Sequence, residues 1–295
     1  MHVRFSLMTR LFLAAVVTIS VFRAQGQSTG ATARVAIVRD ELAFAADALA
    51  RGTKPAFLAA MHDSAIIMVR AVPALAKPYW SGRPEPTPVD PKLRWAPGVA
   101  GAALSGDLGY TLGPWLLNGP AGRLLATGHF FTIWQRQPDG SYKWLFDNGV
   151  SSPPASAPAR LPNREEVRAG PGGSQEGKGW RQKPQALDEQ LSAAIGESGM
   201  EAAYTVRLHP RAHVFREEQE PLTTAGAIRA QLSGEKAWKL RPAGGQVAAS
   251  GELAYSYGQY EAAGESGSYV HLWLHTEQGW RLLAEMTNVA PPAGR

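Results

Sequence analysis

Between residues 35 and 50, apolar side chains recur at Val35, Val38, Leu42, Ala45 and Leu49, the spacing of one face of an amphipathic α-helix. Gly52 follows as a stop, residues 54–61 read as a second short helix, and the β-branched run at 65–69 reads as a strand. After a proline-rich excursion, residues 94–104, 108–117, 124–136 and 142–150 read as strands separated by glycine-containing turns, with "PDGS" as a hairpin loop. Farther on, residues 187–195 and 224–232 read as helices, the second capped by Thr223 or Thr224. Helices followed by a meander of strands predict an α+β fold. The strand at 124–136 adds a detail. Alternation puts His129, Phe131 and Ile133 on one face and Phe130, Thr132 and Trp134 on the other, and both faces are largely apolar. Such a sheet is expected to be covered on both sides.

The same pattern is written twice. "SGDLGYTLG" begins at Ser105 and "SGELAYSYG" at Ser250, 145 positions later. Upstream, Leu93, Trp95 and Pro97 fall on Trp238, Leu240 and Pro242, and "FLAAMHDSAIIM" from Phe57 lies over "YTVRLHPRAHVF" from Tyr204. Downstream, Gly128 and Trp134 match Gly267 and Trp273, and "YKWLFDNGVSSPP" matches "WRLLAEMTNVAPP". Colinear matches of this extent predict a duplication in which each copy is one domain.

Residues 1–26 resemble a signal peptide: Arg4 and Arg10 precede an apolar run at 11–22, and Ala24, Gln25 and Gly26 supply a cleavage site before Gln27. That run falls short of the roughly 20 residues a membrane-spanning helix needs. The expected product is a periplasmic or secreted protein without a stable membrane anchor. The chain contains no cysteine, which rules out disulfides and thiol catalysis. Its net charge of +5 drops to +2 once Arg4, Arg10 and Arg23 leave with the leader. With no basic stripe interleaved with aromatics, nucleic acid is not an expected partner. The charge divides as +3 over 27–150, +3 over 151–183 and −4 over 184–295. The domains are therefore expected at 27–150 and 184–295, joined by a Pro/Gly-rich linker at 151–183. Within that linker Gly172, Gly177 and Lys178 approach a phosphate loop, but Gly179 replaces the magnesium-binding hydroxyl residue and no buried strand precedes them.

The first helix, "SGDLGYTLGPW", "GHFFTIW", "PDGSYKW" and "LFDNGV", in that order, resemble the nuclear transport factor 2-like superfamily. Copy one is most similar to its SnoaL-like members of the kind called domain of unknown function 4440. The resemblance covers residues 35–150 and, less closely, 187–289. It implies two cone-shaped domains, each with N-terminal helices packed on a curved antiparallel sheet and a pocket at the open end.

In such a pocket, proton-transfer chemistry would run through a carboxylate or histidine whose pKa an apolar cavity moves toward neutrality. Copy one offers Asp147 and His129 as catalytic candidates, and Trp80, Tyr110, Trp115 and Trp134 as aromatic walls for a ligand. Copy two has Ser268 and Glu285 where copy one has His129 and Asp147, so the first copy is the expected site. The first helix lacks the tyrosine that ketosteroid isomerase chemistry uses, having only Phe44 among aromatics. His209 with His213, and His271 with His275, have HxxxH spacing, but no HExxH acid accompanies either pair, so no metal site and no cofactor are expected. His62 and His209 match across the copies and are read as turn residues. Three functions follow. The first is binding of a small apolar ligand in the first domain, with the two domains as an internal pseudo-dimer. The second is a SnoaL-like acid/base enzyme, a cyclase, isomerase or dehydratase, using Asp147 and His129. The third is a non-catalytic protein-interaction module.

Overall fold

The computed structural model describes residues 30–171 and 182–292. The leader with its cleavage site, and Gly172, Gly177 and Lys178 of the near-miss phosphate loop, lie outside the described residues. No described helix is long and apolar enough to cross a membrane.

The first half opens with α1 (Gly30–Arg51), whose stripe of Ile37, Val38, Phe44 and Ala48 is buried, and α2 (Thr53–Ala60). Gly52 between them sits at φ 96°, a conformation that suits glycine, and so breaks the helix where the sequence predicted. Next come β1 (Met61–Val69), β2 (Val72–Leu75), the single turn α3 (Ala76–Ser81), β3 (Lys92–Trp95) and β4 (Val99–Ala102). The long strands β5 (Leu108–Asn118), β6 (Leu124–Arg136) and β7 (Tyr142–Ser152) complete the meander, and β8 (Arg168–Ala169) follows. The second half repeats the plan with α4 (Pro184–Thr205), β9 (Leu208–Phe215), α5 (Ala225–Ser233), β10 (Lys239–Val247), β11 (Leu253–Ala262), β12 (Glu265–Thr276) and β13 (Gly279–Val289). Thr224 caps α5 through its side chain, which accepts from the Ala227 amide at 3.2 Å.

The fold is α+β with one sheet in each half. The first sheet runs β2-β1-β7-β6-β5-β4-β8, with β3 also on β5, and the second runs β10-β11-β12-β13-β9. Taking β3 and β4 as two pieces laid along β5, both halves share one strand order. The sheets are mixed where antiparallel ones were expected: β1 returns parallel to β7, and β9 parallel to β13. Helices precede the first strand in each half, so it can enter beside the last strand in the same direction. Residues 151–183 are also less of a free linker than their composition suggests, because Arg168 and Ala169 pair with β4.

Both sheets carry a bulge at matched positions. Ile133 pairs with Phe146 and Trp134 with Trp144, leaving Leu145 over; Leu272 pairs with Ala284 and Trp273 with Leu282, leaving Leu283 over. The extra residue reverses the alternation along the last strand. Trp144 and Asp147 therefore share the face that looks at the helices, while Phe146 looks away.

The faces turned away from the helices pack on each other. One buried cluster joins Ala103, Leu108, Tyr110, Phe131 and Ile133 to their matched residues Ala248, Leu253, Tyr255, Val270 and Leu272. The repeated nonapeptides meet at its edge. Ser105 N donates to Ser250 Oγ at 3.1 Å and Ser250 N donates to Ser105 Oγ at 3.2 Å. Leu104 N donates to Glu252 Oε1 at 2.7 Å, and the matched Ala249 N donates to Asp107 Oδ2 at 2.9 Å. Each of these contacts between the halves has its reciprocal.

Candidate functional site

The helix-facing side of the first sheet carries a polar row across three strands. Thr111, Thr132 and Asp147 are cross-strand neighbours, and Thr132 Oγ1 donates to Asp147 Oδ1 at 2.7 Å. From α1, the fully buried Glu41 reaches the same face. Its Oε2 accepts from Thr111 Oγ1 at 2.5 Å and Trp134 Nε1 at 3.2 Å, and its Oε1 from Trp95 Nε1 at 2.6 Å. Burial pushes Glu41 up to about 7 against these donors. Asp147 also rises to about 7, chiefly by burial and further by the charge of Glu41, with the Thr132 bond opposing.

Asp147 opens onto a cavity of about 520 Å³ lined by Phe44, Phe57, Trp80, Trp95, Trp115 and Phe130, with Lys54, Arg83 and Lys92 among its other residues. That volume lies in the range of small-molecule sites. Local sequence explains the walls. Trp80, on α3, stacks on Phe57 with ring centroids 4.1 Å apart. Trp115 lies over its cross-strand neighbour Gly128, where a Cβ would stand 2.5 Å from the indole, so only glycine admits the ring. Pro86, in the stretch after α3, lies against Gly52, where a Cβ would come within 2.4 Å of it.

Of the residues expected from sequence, Asp147, Trp80 and Trp115 come together at this cavity. Trp134 does not line it: the ring is fully buried and its Nε1 serves Thr111 and Glu41. Tyr110 and His129 lie on the opposite face of the sheet. Tyr110 belongs to the core between the halves and donates to the Pro171 carbonyl at 2.8 Å. His129 stands 5.6 Å from the ring of Phe215 in the second half, with Nδ1 3.1 Å from Ser152 Oγ. Burial lowers it to about 4. Asp147 and His129 thus form no pair, because one odd-numbered step along β6 selects the outer face while the bulge at Leu145 turns Asp147 inward. Sequence reasoning missed Glu41, whose signal was an acid set in the apolar stripe between Ile37 and Phe44.

The second cone has the same frame with different chemistry. Asp188 on α4 accepts from Ser256 Oγ at 2.9 Å, and Trp273 Nε1 donates to Ser256 at 3.0 Å, repeating the Glu41, Thr111 and Trp134 arrangement. Where the first cone has Thr132, the second has His271, whose ring bridges Asp188 at 2.8 Å and Glu285 at 2.7 Å. Glu285, the counterpart of Asp147, also receives Tyr204 Oη at 2.5 Å and forms an ion pair with Arg216 at 2.6 Å. Burial alone would raise Glu285, but Arg216, His271 and Tyr204 hold it at about 2. Burial likewise opposes charge on His271, and the two carboxylates lift it to about 9. All five side chains are almost completely buried. Asp147 lines the cavity of the first cone, whereas its counterpart Glu285 is held in ion pairs, and the cavity of about 350 Å³ in the second half is lined instead by residues such as Arg216, Trp238 and Tyr260.

No family model matches the chain, and no curated protein matches it. Among solved structures it is similar to a cystatin-like fold protein from Burkholderia xenovorans LB400, at 18% identity over 37% of this chain and 90% of that one, with a TM-score of 0.31. An NTF2-like protein from Cytophaga hutchinsonii ATCC 33406 aligns at 15% identity over 36% and 93%, with a TM-score of 0.30. An NTF2-like protein of unknown function from Pseudomonas putida KT2440 aligns at 12% identity over 37% and 86%, with a TM-score of 0.31. These structural neighbours are NTF2-like and cystatin-like fold proteins.

Proposed function

We propose that the first cone binds a small, largely apolar ligand bearing a hydrogen-bond acceptor such as a carbonyl, in an exported protein whose two cones form an internal pseudo-dimer. The observation that carries this reading is the cavity walled by Trp80, Trp95, Trp115, Phe44, Phe57 and Phe130, with the half-buried carboxyl of Asp147 set among the rings and raised to about 7. Apolar walls supply affinity, and a protonated carboxyl supplies orientation by donating to the acceptor. The shared strand order, the matched bulges and the reciprocal bonds at Ser105 and Ser250 support the duplication and the pseudo-dimer. The leader-like residues 1–26 support export.

The neutral-range acidity of Asp147 also favours a second reading, acid/base catalysis on a bound carbonyl compound. In that reading Asp147 acts without His129, which faces away.

Titration with 2-acetylnaphthalene, an apolar ketone, tests the binding reading through the fluorescence of the lining tryptophans. Saturable quenching by the wild-type chain, abolished in Leu93→Trp, where the larger ring fills the cavity from its wall, is the expected result. Quenching that survives Leu93→Trp places the probe elsewhere and overturns the assignment, as does failure of the wild-type chain to bind a panel of such ketones.

A further inference from the structure

The stretch between α3 and β3, "RPEPTPVDP" from Arg83 to Pro91, has proline at 84, 86, 88 and 91. Proline fixes its own φ and holds the residue before it extended, so such a run is a stiff arm that neither collapses nor joins a sheet. This arm forms one side of the first cone's cavity: Arg83, Pro84, Pro86, Asp90 and Pro91 all line it. Pro86 is seated against Gly52, where φ is 96° and a Cβ would stand 2.4 Å from the proline ring, so the seat requires glycine twice over.

The arm's polar attachment to the rest of the domain is a single side chain. Lys54, in the first turn of α2, donates from Nζ to the Arg83 carbonyl at 2.7 Å and to the Glu85 carboxylate. Among the described residues, every other hydrogen bond of residues 83–90 is internal or goes to the end of α3. Arg83 N donates to the Trp80 carbonyl at 3.2 Å, and Thr87 donates to Asp90 from its amide at 2.7 Å and from its hydroxyl at 2.8 Å. The two members of the ion pair differ in burial. The Lys54 side chain is 15% exposed and that of Glu85 is 78% exposed, so the cation lies beneath the arm and the acid reaches it from outside. Water competes freely for an acid in that position, and such a pair breaks readily. A stiff segment fixed at both ends, held down midway by one weak pair and resting on a glycine, is built to lift as a unit.

We propose that residues 83–91 are a cover that opens to admit ligand to the first cone's cavity, and that Lys54 is its latch. The proposal rests on the reading of this cavity as a ligand site. Because the latch is closed in the free protein, entry and exit both pass through the unlatched state. Lys54 therefore sets the rates of binding, while the aromatic walls set the affinity.

Stopped-flow quenching of tryptophan fluorescence by 2-acetylnaphthalene, a neutral probe that no charge steers, separates the two. Association and dissociation should accelerate together, about threefold in Glu85→Gln and about tenfold in Lys54→Met, which loses both bonds, with Kd held within about twofold. Raising the ionic strength should accelerate the wild type and leave Lys54→Met unchanged. Arg241→Gln, which breaks the exposed pair with Glu261 in the second half, should keep wild-type rates. A second readout needs no ligand: acrylamide quenching of tryptophan fluorescence should rise in Lys54→Met, because unlatching uncovers Trp80, Trp95 and Trp115. Unchanged rates in both latch variants, a changed Kd with an unchanged association rate in Lys54→Met, or equal acceleration in Arg241→Gln would each overturn the proposal. A wild-type chain that binds no ketone, with acrylamide quenching still raised in Lys54→Met, overturns the ligand reading and supports the cover; ketone binding with rates and quenching unchanged does the reverse.

Discussion

Replacing Asp147 by Asn should stabilise the protein at alkaline pH. The carboxyl is raised from 3.8 to about 7, first by burial and then by Glu41. Between those values the unfolded chain releases this proton while the folded chain keeps it. Stability therefore falls as pH rises through that window and levels off above about 7. Three units correspond to about 4 kcal/mol at the plateau, and partial opening to the cavity reduces this to about 2–4 kcal/mol. Asn keeps the shape and retains the oxygen that accepts from Thr132, but has no charge to desolvate. Urea unfolding across a pH series reads the difference. The variant should match the wild type near pH 3 and exceed it by about 2–4 kcal/mol at pH 8. Binding of 2-acetylnaphthalene should diverge in parallel: wild-type affinity drops about tenfold per unit above pH 7 as the donor proton is lost, while the amide of Asn donates at every pH. A variant no more stable than the wild type at pH 8, or a wild-type affinity flat through the same range, would refute the reasoning, because either means that Asp147 is already ionised.

Other perturbations probe the frame. Glu41→Leu strands the indole N–H groups of Trp95 and Trp134 and the hydroxyl of Thr111, and should cost about 3–5 kcal/mol by chemical denaturation; Glu41→Gln, which keeps an acceptor, should cost less than half of that. His271→Thr copies the first cone's residue into the second, leaves Asp188 and Glu285 unbridged, and should destabilise by about 3–5 kcal/mol. In the wild type, the stabilisation from His271 is complete below 6.5 and lost as pH climbs toward about 9, while that from Glu285 is complete above 4.5 and lost as pH falls toward about 2. Stability profiles of the His271→Thr variant should therefore lack the alkaline decline. Ser105→Ala and Ser250→Ala should each cost about 1 kcal/mol, and the double variant less than their sum by about 0.5–1 kcal/mol, since each hydroxyl serves the other.

The strands and the two-sided character of β6 were legible because they rest on local period. Phe131 and Ile133 do face the second half, and Phe130 and Trp134 do face the helices. Which face was the interior was not legible, since both are apolar, and that ambiguity misplaced Tyr110 and His129. Asp147 lines the cavity, but its neighbours were hidden by the Leu145 bulge, whose extra residue no periodicity reveals. Glu41 and Asp188 were overlooked for a different reason: on a helix wheel each is a single acid at the margin of a stripe, and only tertiary contact with Thr111 or Ser256 shows that it is buried. The matching of Glu41 with Asp188, at the same 147-residue offset that relates His62 to His209, was the available signal.

The two cones differ at three matched positions in a way that sets the state of the matched acids Asp147 and Glu285. Phe57, Val69 and Thr132 of the first correspond to Tyr204, Arg216 and His271 of the second. Each exchange adds to the second cone a group that donates to Glu285, and together they turn a raised carboxyl into a carboxylate held at about 2. A carboxylate held by Arg216, His271 and Tyr204 stays ionised. The same exchanges read in reverse leave Asp147 with a single donor, Thr132, and a hydrophobic ring where a hydroxyl would reach it. Desolvation then wins over hydrogen bonding, and the acid is raised to about 7 beside an open cavity. Both outcomes use one backbone, down to the bulge that turns the acid inward.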